Sequence, residues 1–399
     1  MEHMAYTYRV NPTKKQRRFL AQTFGCARYV WNWALEHRTN AYHDEGESLG
    51  FAAMCKRLTQ LKKDDEHKWL KDPSSVVLQQ SLRNQEQAFT NFFEGRAKYP
   101  NFKRKYGTQS ARHTKAAFSY DADTKDGIPS LKLAKMPGTL KVNWSRDLRG
   151  EPTAVTISKD PAGRYHVSIE FKAPVLNKPK TGKTVGVDVG LESYITLSTG
   201  KKLGNPRFLA SAYKRLRKEQ KSLSRKEKGS NNWERQKKRV AKAHAKVADR
   251  RKDFLHKLST RLVEEFDVIT VETLAVQNMK KNRSLAKAIS DASWSEFVRQ
   301  LEYKCEWYGK RLVKVDRWFP STKRCSNCGH VGESKPLHVR EWTCTECGCV
   351  HDRDVNAAKN LSRVGQARTE AIASRAIASK APGDQRKTNE AFELHGSGR

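Results

Sequence analysis

Apolar residues near the start of the chain first alternate and then change to helical spacing. Tyr6, Tyr8 and Val10 alternate with other residues, which is typical of a β-strand with one buried face. Thr13 and Gln16 follow in the T-x-x-Q arrangement of a capping box, which satisfies free backbone N–H groups at a helix start. The pattern therefore predicts a first strand that ends near Val10 and a helix that begins next to Thr13.

The next part of the chain carries two runs of apolar residues at helical spacing. The first run comprises Leu20, Phe24, Ala27, Trp31 and Ala34. The second run comprises Leu78, Leu82, Phe89, Phe92 and Phe93. Gln79, Gln80 and Arg83 lie on other faces of the second helix, where they would contact either solvent or a DNA duplex. We therefore predict a small helical bundle over residues 11–100.

Beyond residue 100 the apolar period changes from helical to alternating. Short alternating pairs occur at Phe118/Tyr120, Leu131/Leu133, Leu140/Val142 and Val155/Ile157. A longer alternating run over 165–171 follows a turn at 160–163 that contains Pro and Gly. The pattern predicts an antiparallel β-barrel over residues 101–180. Residues 1–10 would be its first strand, with the helical bundle inserted after it.

A basic linker separates the predicted barrel from a part of the chain with mixed α/β character. Four apolar runs are typical of strands, namely Val185–Asp188, Tyr194–Ser198, Val268–Glu272 and Leu312–Asp316. A long segment with helical periodicity lies between the second run and the third. We predict an α/β domain over 181–320 with a basic helical insertion, followed by a final helix over 351–365. Residues 366–399 lose periodicity and are predicted to be a disordered tail.

The composition points to an anionic partner. The chain has 399 residues, with 78 Lys and Arg against 43 Asp and Glu, and a formal net charge of +35. Such an excess repels itself in a compact fold unless an anion neutralises it, and Lys and Arg displace counterions from nucleic-acid phosphates. A membrane surface is the other candidate. We expect no membrane association and a cytoplasmic protein, because there is neither a long apolar run nor a signal peptide.

Cysteine spacing supports that expectation and predicts a metal site. Five of the eight cysteines crowd into residues 325–349, which is typical of metal binding rather than of disulfides. Two C-x-x-C pairs suit a closed, structural zinc site with four thiolates. The predicted ligands are Cys325, Cys328, Cys344 and Cys347. The possible substitutes are Cys349, His330 and His338, and the scattered Cys26, Cys55 and Cys305 are expected to pack in cores.

Carboxylates stand where apolar strands end. Asp188 closes the run that begins at Thr184, and Glu272 closes the run that begins at Val268. An acid at such a position is awkward to bury and is expected at the sheet edge, facing a cleft. Asp354 opens a predicted helix after the cysteine cluster. Three converging carboxylates repel one another unless cations neutralise them, and two divalent ions would also activate water for phosphodiester hydrolysis.

The same acids also allow purely structural interpretations. An acid at a strand end is most often only solvated, and Asp354 alone could be the N-cap of its helix. Asp352 is the rival of Asp354 as third ligand. Asp316 also ends a strand but is left out of the predicted site.

A strongly basic stretch over 211–252 is the third feature with functional meaning. Such a run is usually a solvated helix face, but its density beside metal-binding acids favours the wall of a nucleic-acid channel. Trp233 and Trp294 could stack on bases, although packing is the more common role of tryptophan.

Taken together and in this order, these motifs resemble the TnpB family, transposon-encoded proteins ancestral to the type V CRISPR effectors. The principal matching strings are Asp188-x-Gly190, Glu272-x-Leu274, the four-cysteine ribbon and Asp354-x-Asn356-Ala357-Ala358-x-Asn360. Further similar strings are Pro12-Thr13-x-x-Gln16, Phe24–Asn32, Pro100-x-Phe102-Lys103 and Gly163-Arg164-Tyr165. The resemblance covers nearly the whole chain to about residue 365.

The resemblance implies a multidomain α+β protein and a specific activity. Its parts would be an RNase H-like (RuvC) nuclease domain with a zinc ribbon over 321–350, a wedge barrel and a helical recognition domain. Asp188, Glu272 and Asp354, in preference to Asp352, would be the catalytic triad and would hold Mg²⁺ or Mn²⁺. The four cysteines would hold structural Zn²⁺.

The resemblance also implies the partners. A guide RNA from the transposon end would pair with one strand of double-stranded DNA, and the protein would read a short flanking motif while the RuvC site cuts both strands. Pairing supplies the sequence specificity in such systems, so the protein needs backbone contacts and positive charge. We expect a monomer, associated with the nucleoid of a bacterium or archaeon.

Three alternatives remain at this point. A miniature type V CRISPR effector would have the same chemistry, and neighbouring genes would separate it from a transposon protein. A non-cleaving zinc-ribbon accessory of transposition is disfavoured by the presence of all three acids. A strand-transfer transposase shares the fold, but it is expected to space its acids differently.

Overall fold

The computed structural model describes residues 2–336 and 338–378. The chain divides into two compact units. The first comprises Met1–Leu176 with Phe208–Asp253, and the second comprises Asn177–Arg207 with Phe254–Arg399. Within the described ranges, every helix is too short or too polar to be a membrane span.

The helices at the start of the first unit agree with the apolar pattern. They are α1 (Lys14–Glu45), α2 (Phe51–Leu61) and α3 (Ser75–Phe93), with a 3-10 helix at Asp65–Lys71. The predicted capping box is present, because Thr13 Oγ1 accepts the Gln16 N–H and Gln16 Oε1 accepts the Thr13 N–H. Leu78 and Leu82 are fully buried in the core that these helices share with Val30. The predicted helices are present and share one core, but Phe93 of the second apolar run is 77% exposed.

The strands of the first unit form one larger sheet and one hairpin. They are β1 (Glu2–Val10), β2 (Gln109–Thr114), β3 (Phe118–Asp121), β4 (Ser130–Leu133), β5 (Val142–Asn143), β6 (Pro152–Lys159) and β7 (Tyr165–Ala173), with a 3-10 turn at Lys115–Ala117. The larger sheet has the order β2-β6-β7-β1-β5, and β3 pairs with β4.

The pairing of β1 confirms one prediction and corrects another. β1 lies antiparallel to β7 along its whole length, from Glu2 opposite Ala173 to Val10 opposite Tyr165. The first strand therefore joins a sheet whose other strands follow the helical bundle, as predicted. However, β2 and β5 remain unpaired edges in the ladder of the described residues, so the strands form an open sheet instead of the predicted closed barrel. The shortness of β5, two residues long, limits its pairing with further strands.

Two long basic helices follow in the sequence, α4 (Phe208–Ser224) and α5 (Asn231–Glu265). Most side chains of α4 and of the first part of α5 are exposed or half-buried. The buried Gln236 joins the two helices, because its Nε2 donates to the backbone oxygen of Glu219 at 3.0 Å and to the Glu219 carboxylate at 2.7 Å. The predicted basic helical segment is therefore present as a helical pair.

The second unit is built on a mixed five-stranded sheet. Its strands are β8 (Thr184–Val189), β9 (Ser193–Leu197), β10 (Lys202–Gly204), β11 (Val268–Glu272) and β12 (Arg311–Val315). The order is β10-β9-β8-β11-β12. β8, β11 and β12 are parallel, whereas β9 and β10 run antiparallel to their neighbours. All four predicted strands of this part are present, and β10 is additional.

Helices and one small hairpin complete the second unit. They are α6 (Val276–Met279), α7 (Ala286–Ala292), α8 (Trp294–Tyr308), β13 (Glu341–Thr343), β14 (Val350–Asp352) and α9 (Arg353–Ala378). α9 continues to Ala378, so the predicted end of this helix at 365 and the predicted disorder from 366 are wrong as far as residue 378. The remainder of the predicted tail, 379–399, lies outside the described residues.

Asp267 connects the starts of the three parallel strands. Its Oδ2 accepts the N–H groups of Thr181 at 2.9 Å and Gly182 at 2.7 Å, just before β8. Its Oδ1 accepts from the Lys310 ammonium at 2.5 Å, and the Lys310 side chain is only 1% exposed. Although burial acts in the opposite direction, Lys310 and the two N–H groups lower the pKa of Asp267 to about 2. This buried ion pair aligns the strands whose other ends carry the candidate acids.

Candidate active site and cysteine cluster

Strand pairing brings Asp188 and Glu272 to the same end of the sheet. β8 and β11 are parallel and in register, with Val187 opposite Val271. Asp188 and Glu272 are the next residues on the two strands, so their side chains emerge on the same face. The β-branched residues that precede the two acids favour strands, and most residues of these runs are buried.

Helix α9 brings the third acid to this place. It crosses β8 at Gly186, where a Cβ would overlap the carbonyl oxygen of Ala358. Asp354 lies one helical turn before Ala358, in the first turn of α9. The close approach at Gly186 therefore fixes Asp354 near the end of β8.

The pKa values reflect this convergence. Burial, followed by the charges of Asp354 and Glu272, raises the pKa of Asp188 to about 8, against opposing effects of Arg353 and Arg340. Burial also raises the pKa of Glu272 to about 7. All three acids are only partly exposed. The three carboxylates therefore interact electrostatically. Within residues 2–336 and 338–378, however, their oxygens do not all lie within 4.8 Å of one another.

Asp352, the rival of Asp354, already has partners for both of its carboxylate oxygens. Asp352 Oδ1 accepts the backbone N–H groups of Asp354 at 3.1 Å and Val355 at 2.9 Å, so it caps α9. Its other oxygen pairs with Lys202 at 2.6 Å. Although burial opposes the shift, these partners lower the pKa of Asp352. Both oxygens of Asp352 are thus already engaged.

Asp316 also differs from the three converging acids. It is exposed after β12 and its Oδ1 accepts the Trp318 N–H at 2.8 Å, which is a local turn contact. Charge from Asp316 is not among the main causes of the pKa shift of Asp188.

Arg340 is a functional candidate that the sequence did not reveal. Its guanidinium lies 2.6 Å from the carboxylate of Glu192 and 3.5 Å from that of Asp354. Its side chain is 49% exposed. The residue lies in the long connection between the two cysteine pairs, and no spacing rule ties that connection to the strand-end acids.

The four predicted zinc ligands form a compact cluster. The sulfur atoms of Cys325, Cys328, Cys344 and Cys347 all lie within 4.8 Å of one another. Two pairs are shorter, with 3.6 Å between Cys325 and Cys347 and 3.7 Å between Cys328 and Cys344. Four convergent thiols are a donor set that suits tetrahedral Zn²⁺.

Two matching turns present these cysteines. The Gly329 N–H donates to Cys325 O, and the Gly348 N–H donates to Cys344 O, each at 3.0 Å. Both glycines have positive φ, at 85° and 68°, which favours glycine. The Cys325 N–H in turn donates to His330 O. The two C-x-x-C motifs therefore form similar knuckles.

Two of the possible substitute ligands contact other partners in the structure. Cys349 Sγ accepts from Asn327 Nδ2 at 3.1 Å, and His330 Nδ1 lies 3.8 Å from the carboxylate of Glu346. His338 lies in a turn between the knuckles. The sequence did not single out His351, whose Nε2 lies 3.0 Å from Cys325 Sγ.

Two buried asparagines join the first knuckle to α9. Asn356 Oδ1 accepts the Ser326 N–H and its Nδ2 donates to Arg324 O, both at 2.8 Å. Asn360 Nδ2 donates to Arg324 O at 2.6 Å and to Ser321 O at 2.9 Å. The helix that begins with Asp354 is thus attached to the cysteine cluster.

Two tryptophans and three polar residues are the remaining candidates for contact with nucleic acid. Trp294 is 3% exposed, so it packs in the core of the second unit, whereas Trp233 is half-buried on α5. Gln79 and Arg83 are exposed and Gln80 is half-buried, and the Arg83 guanidinium lies 4.5 Å from the centre of the Phe51 ring.

The scattered cysteines behave as predicted. Cys26 and Cys305 are buried, and burial raises their pKa values to about 11 and about 12. Cys55 is half-buried, and burial also raises its pKa.

Family models match three separate parts of the chain. Residues 164–283 match OrfB_IS605, described as a probable transposase, and residues 294–361 match the Cas12f1-like TNB domain. Residues 1–47 match a family described as a helix-turn-helix domain. In this chain residues 1–47 contain strand β1 and the single long helix α1.

Several relatives resemble the chain over most of its length. A Streptomyces pristinaespiralis protein named "Putative RNA-guided DNA endonuclease" is 48% identical over 366 residues, covering 91% of this chain and 89% of the relative. An Escherichia coli (strain K12) protein named "Putative RNA-guided DNA endonuclease InsQ" is 31% identical over 380 residues, covering 91% and 92%. A mimivirus protein named "TnpB-like protein L79" is 25% identical over 386 residues, covering 90% of this chain and 72% of the relative.

The fold also resembles a solved structure. The chain aligns with the protein in the cryo-EM structure of the Cas12f1-sgRNA-target DNA complex, with a TM-score of 0.54. The alignment covers 87% of this chain and 82% of the other, at 12% sequence identity. At that identity the similarity concerns the fold alone.

Proposed function

The chain belongs to the TnpB family, and from that membership we propose that it is an RNA-guided endonuclease that cuts double-stranded DNA next to a short flanking motif. The observation that carries the proposal is the shared electrostatic field of Asp188, Glu272 and Asp354 at one end of the mixed sheet. The order of that sheet, with three parallel strands beside an antiparallel pair, supports an RNase H-like nuclease fold of the RuvC type.

The donor set of the site fits divalent cations. Asp188, Glu272 and Asp354 offer only carboxylate oxygens, which suit Mg²⁺ or Mn²⁺. The raised pKa values of Asp188 and Glu272 mean that their ionised forms lack compensating charge, and a bound cation would supply it. When bound, such cations activate a water and stabilise the leaving oxygen in phosphodiester hydrolysis.

The chain's own residues prepare the site for an anionic strand. Arg340 and Arg353 offset part of the negative charge around Asp188, so a phosphate can approach three acids that would otherwise repel it. Arg340 is half-exposed and already held by Glu192, which keeps its guanidinium beside Asp354. The partial exposure of the acids gives water access to the same place.

The positive charge of the chain would favour its binding to nucleic acid. The net charge of +35 suits a protein that holds a guide RNA and its heteroduplex with DNA mainly through phosphate contacts. The guide RNA would come from the transposon end and pair with the target strand. The four-cysteine cluster would hold Zn²⁺ as a structural site, because four sulfur ligands leave no open position.

The direct test is to purify the chain from its host and sequence the RNA that copurifies with it. We expect one RNA species that maps to a transposon end. With that RNA and added Mg²⁺, a plasmid carrying the matching target and its natural flank should be linearised. RNA that maps to a repeat array would instead make the chain a CRISPR effector with the same chemistry. A protein that binds guide and target but never cuts would contradict the endonuclease proposal.

A further inference from the structure

A basic cleft outside the acidic site lies within the first unit. It has a volume of about 550 Å³ and lies between the turn at 160–163, the segment around Tyr106 and the first part of α5. Six cationic side chains line it: Arg17, Lys105, Lys159, Arg235, Lys237 and Lys238. The cleft therefore offers a concentrated positive field to a ligand.

The acids that line the cleft offset only one of these six charges. Asp160 is bonded to Arg164 at 2.6 Å, and Glu234 lies 3.7 Å from Lys237. Lys105, Arg235 and Lys238 make no ion pair with any residue in the described parts of the chain. A cluster of unpaired cations in a concave site attracts an anion.

Aromatic rings add a second kind of recognition to the cleft. The Tyr106 side chain is 62% exposed, and the Lys237 ammonium lies 3.7 Å from its ring centre. The same ammonium lies 4.5 Å from the ring centre of Trp233. The exposed Tyr106 ring, which already attracts this cation, offers a π-face that a nucleic-acid base can occupy, and stacking of this kind accepts any base. Displacement by a base would free Lys237 to contact a phosphate.

The floor of the cleft is held in place. Arg164 bonds to Asp160 at one side and to Asp249 of α5 at 2.5 Å, so the turn at 160–163 is fixed to the helix. Gly163 has a φ of 82°, and a Cβ there would stand 3.2 Å from the Lys238 side chain. The cleft is therefore preformed, which lowers the entropic cost of binding.

We propose that this cleft binds an unpaired segment of the guide RNA, with one base on Tyr106 and the flanking phosphates on Arg235 and Lys238. An unpaired segment fits because bases inside a duplex stack on one another and cannot reach an isolated ring. The proposal rests on the proposed function for the choice of RNA as ligand. Single-stranded DNA offers the same phosphates and free bases as RNA, so DNA is the alternative ligand.

The test uses the full chain and a short single-stranded RNA that carries 2-aminopurine. Stacking on Tyr106 should quench the fluorescence of this base. Tyr106→Ala should abolish the quenching and weaken binding about tenfold, whereas Tyr106→Phe should retain both. Arg235→Gln and Lys238→Gln should each lower the slope of log Kd against log salt by about 0.7.

Matched controls come from the same unit, outside the cleft. Tyr42 is 65% exposed and Lys125 is exposed, so Tyr42→Ala and Lys125→Gln should leave the quenching at its wild-type level. Quenching that survives Tyr106→Ala, or that falls equally in the controls, would overturn the site. Tighter binding of the matching DNA oligonucleotide would overturn the choice of RNA.

The same variants separate this inference from the proposed function. If only the cleft assignment fails, Tyr106→Ala binds RNA as the wild type does, and guided DNA cleavage is unchanged. If only the endonuclease proposal fails, the wild type never cuts DNA, yet Tyr106→Ala still loses quenching.

Discussion

Gly186 of β8 and Ala358 of α9 are in direct backbone contact. A Cβ at residue 186 would overlap the carbonyl oxygen of Ala358 and stand 2.5 Å from the amide nitrogen of Ser362. Further along the helix, a Cβ at Gly365 would overlap the Thr270 hydroxyl. These two glycines let α9 lie directly on the parallel strands, and the first of them determines how near Asp354 comes to Asp188.

We expect Gly186→Ala to impair both stability and cleavage. The added methyl group meets backbone atoms that cannot rotate away, so α9 must move and the free energy of unfolding should fall by about 3 kcal/mol. Gly204 in the same unit has open space around it and no positive φ, so Gly204→Ala is the control. Chemical denaturation and DNA cleavage should both separate the variants. Equal stability of the two would contradict the close packing described here.

Asn356→Ala should weaken the link between the first cysteine knuckle and α9. It leaves the Ser326 N–H buried without its acceptor, which costs about 1–3 kcal/mol, whereas Arg324 O keeps its hydrogen bond from Asn360. Zinc should also leave the protein more readily when a chelator is added. Lys359→Ala, an exposed change on the same helix, should alter neither quantity. Release of zinc at the wild-type rate from Asn356→Ala would argue against the link.

Asp267→Ala should destabilise the second unit strongly. The Lys310 ammonium would remain buried without its carboxylate, and breaking such a pair costs about 3–5 kcal/mol. Glu264 pairs with Lys178 nearby, but it is 51% exposed, so Glu264→Ala should cost less than about 1 kcal/mol. Urea denaturation measures both. Similar losses in the two variants would mean that the buried pair does not stabilise the strand starts.

His113 should make the first unit sensitive to acid. The ring is 1% exposed, and burial lowers its pKa from 6.5 to about 4. Between these values the unfolded state binds the proton and the folded state does not. Stability is therefore complete above about pH 6.5 and falls as the pH decreases toward 4, by at most about 1.4 kcal/mol per pH unit.

The pH dependence of urea denaturation tests this expectation. His113→Gln removes the titrating ring and should flatten the dependence between pH 6.5 and 4. His43→Gln changes an exposed histidine of the same unit and should keep the wild-type slope. An unchanged slope in His113→Gln would assign the acid sensitivity to other groups.

Much of the candidate site could be predicted because its signals are local. Asp188 and Glu272 each end a β-branched run, and a C-x-x-C spacing is specific in itself. The sequence leaves the direction of pairing between the two strands open, and the structure shows that β8 and β11 pair in parallel, which places both acids at one edge. The meeting of Asp354 with them was suggested by resemblance, and the contact at Gly186 supplies the physical reason.

Other features depend on distant contacts and gave no local signal. Strand β2 was not predicted, because its buried positions Ala111 and His113 are a small and a polar residue. The expected barrel stays open because its last strand, β5, is only two residues long. Arg340 reaches Asp354 from a connection with no regular pattern. The sequence gives no sign that α9 continues past residue 365, because its last turns carry few large apolar residues.

The most direct test of the account compares four single substitutions in RNA-guided cleavage of a plasmid with added Mg²⁺. Asp188→Ala, Glu272→Ala and Asp354→Ala should each lower the cleavage rate by about a thousandfold or more, while guide RNA still copurifies. Asp316→Ala removes an acid that also follows a strand of the same sheet, and it should cut at nearly the wild-type rate. Cleavage that survives any of the first three changes, or that Asp316→Ala abolishes as completely, would contradict a metal site built from those three acids.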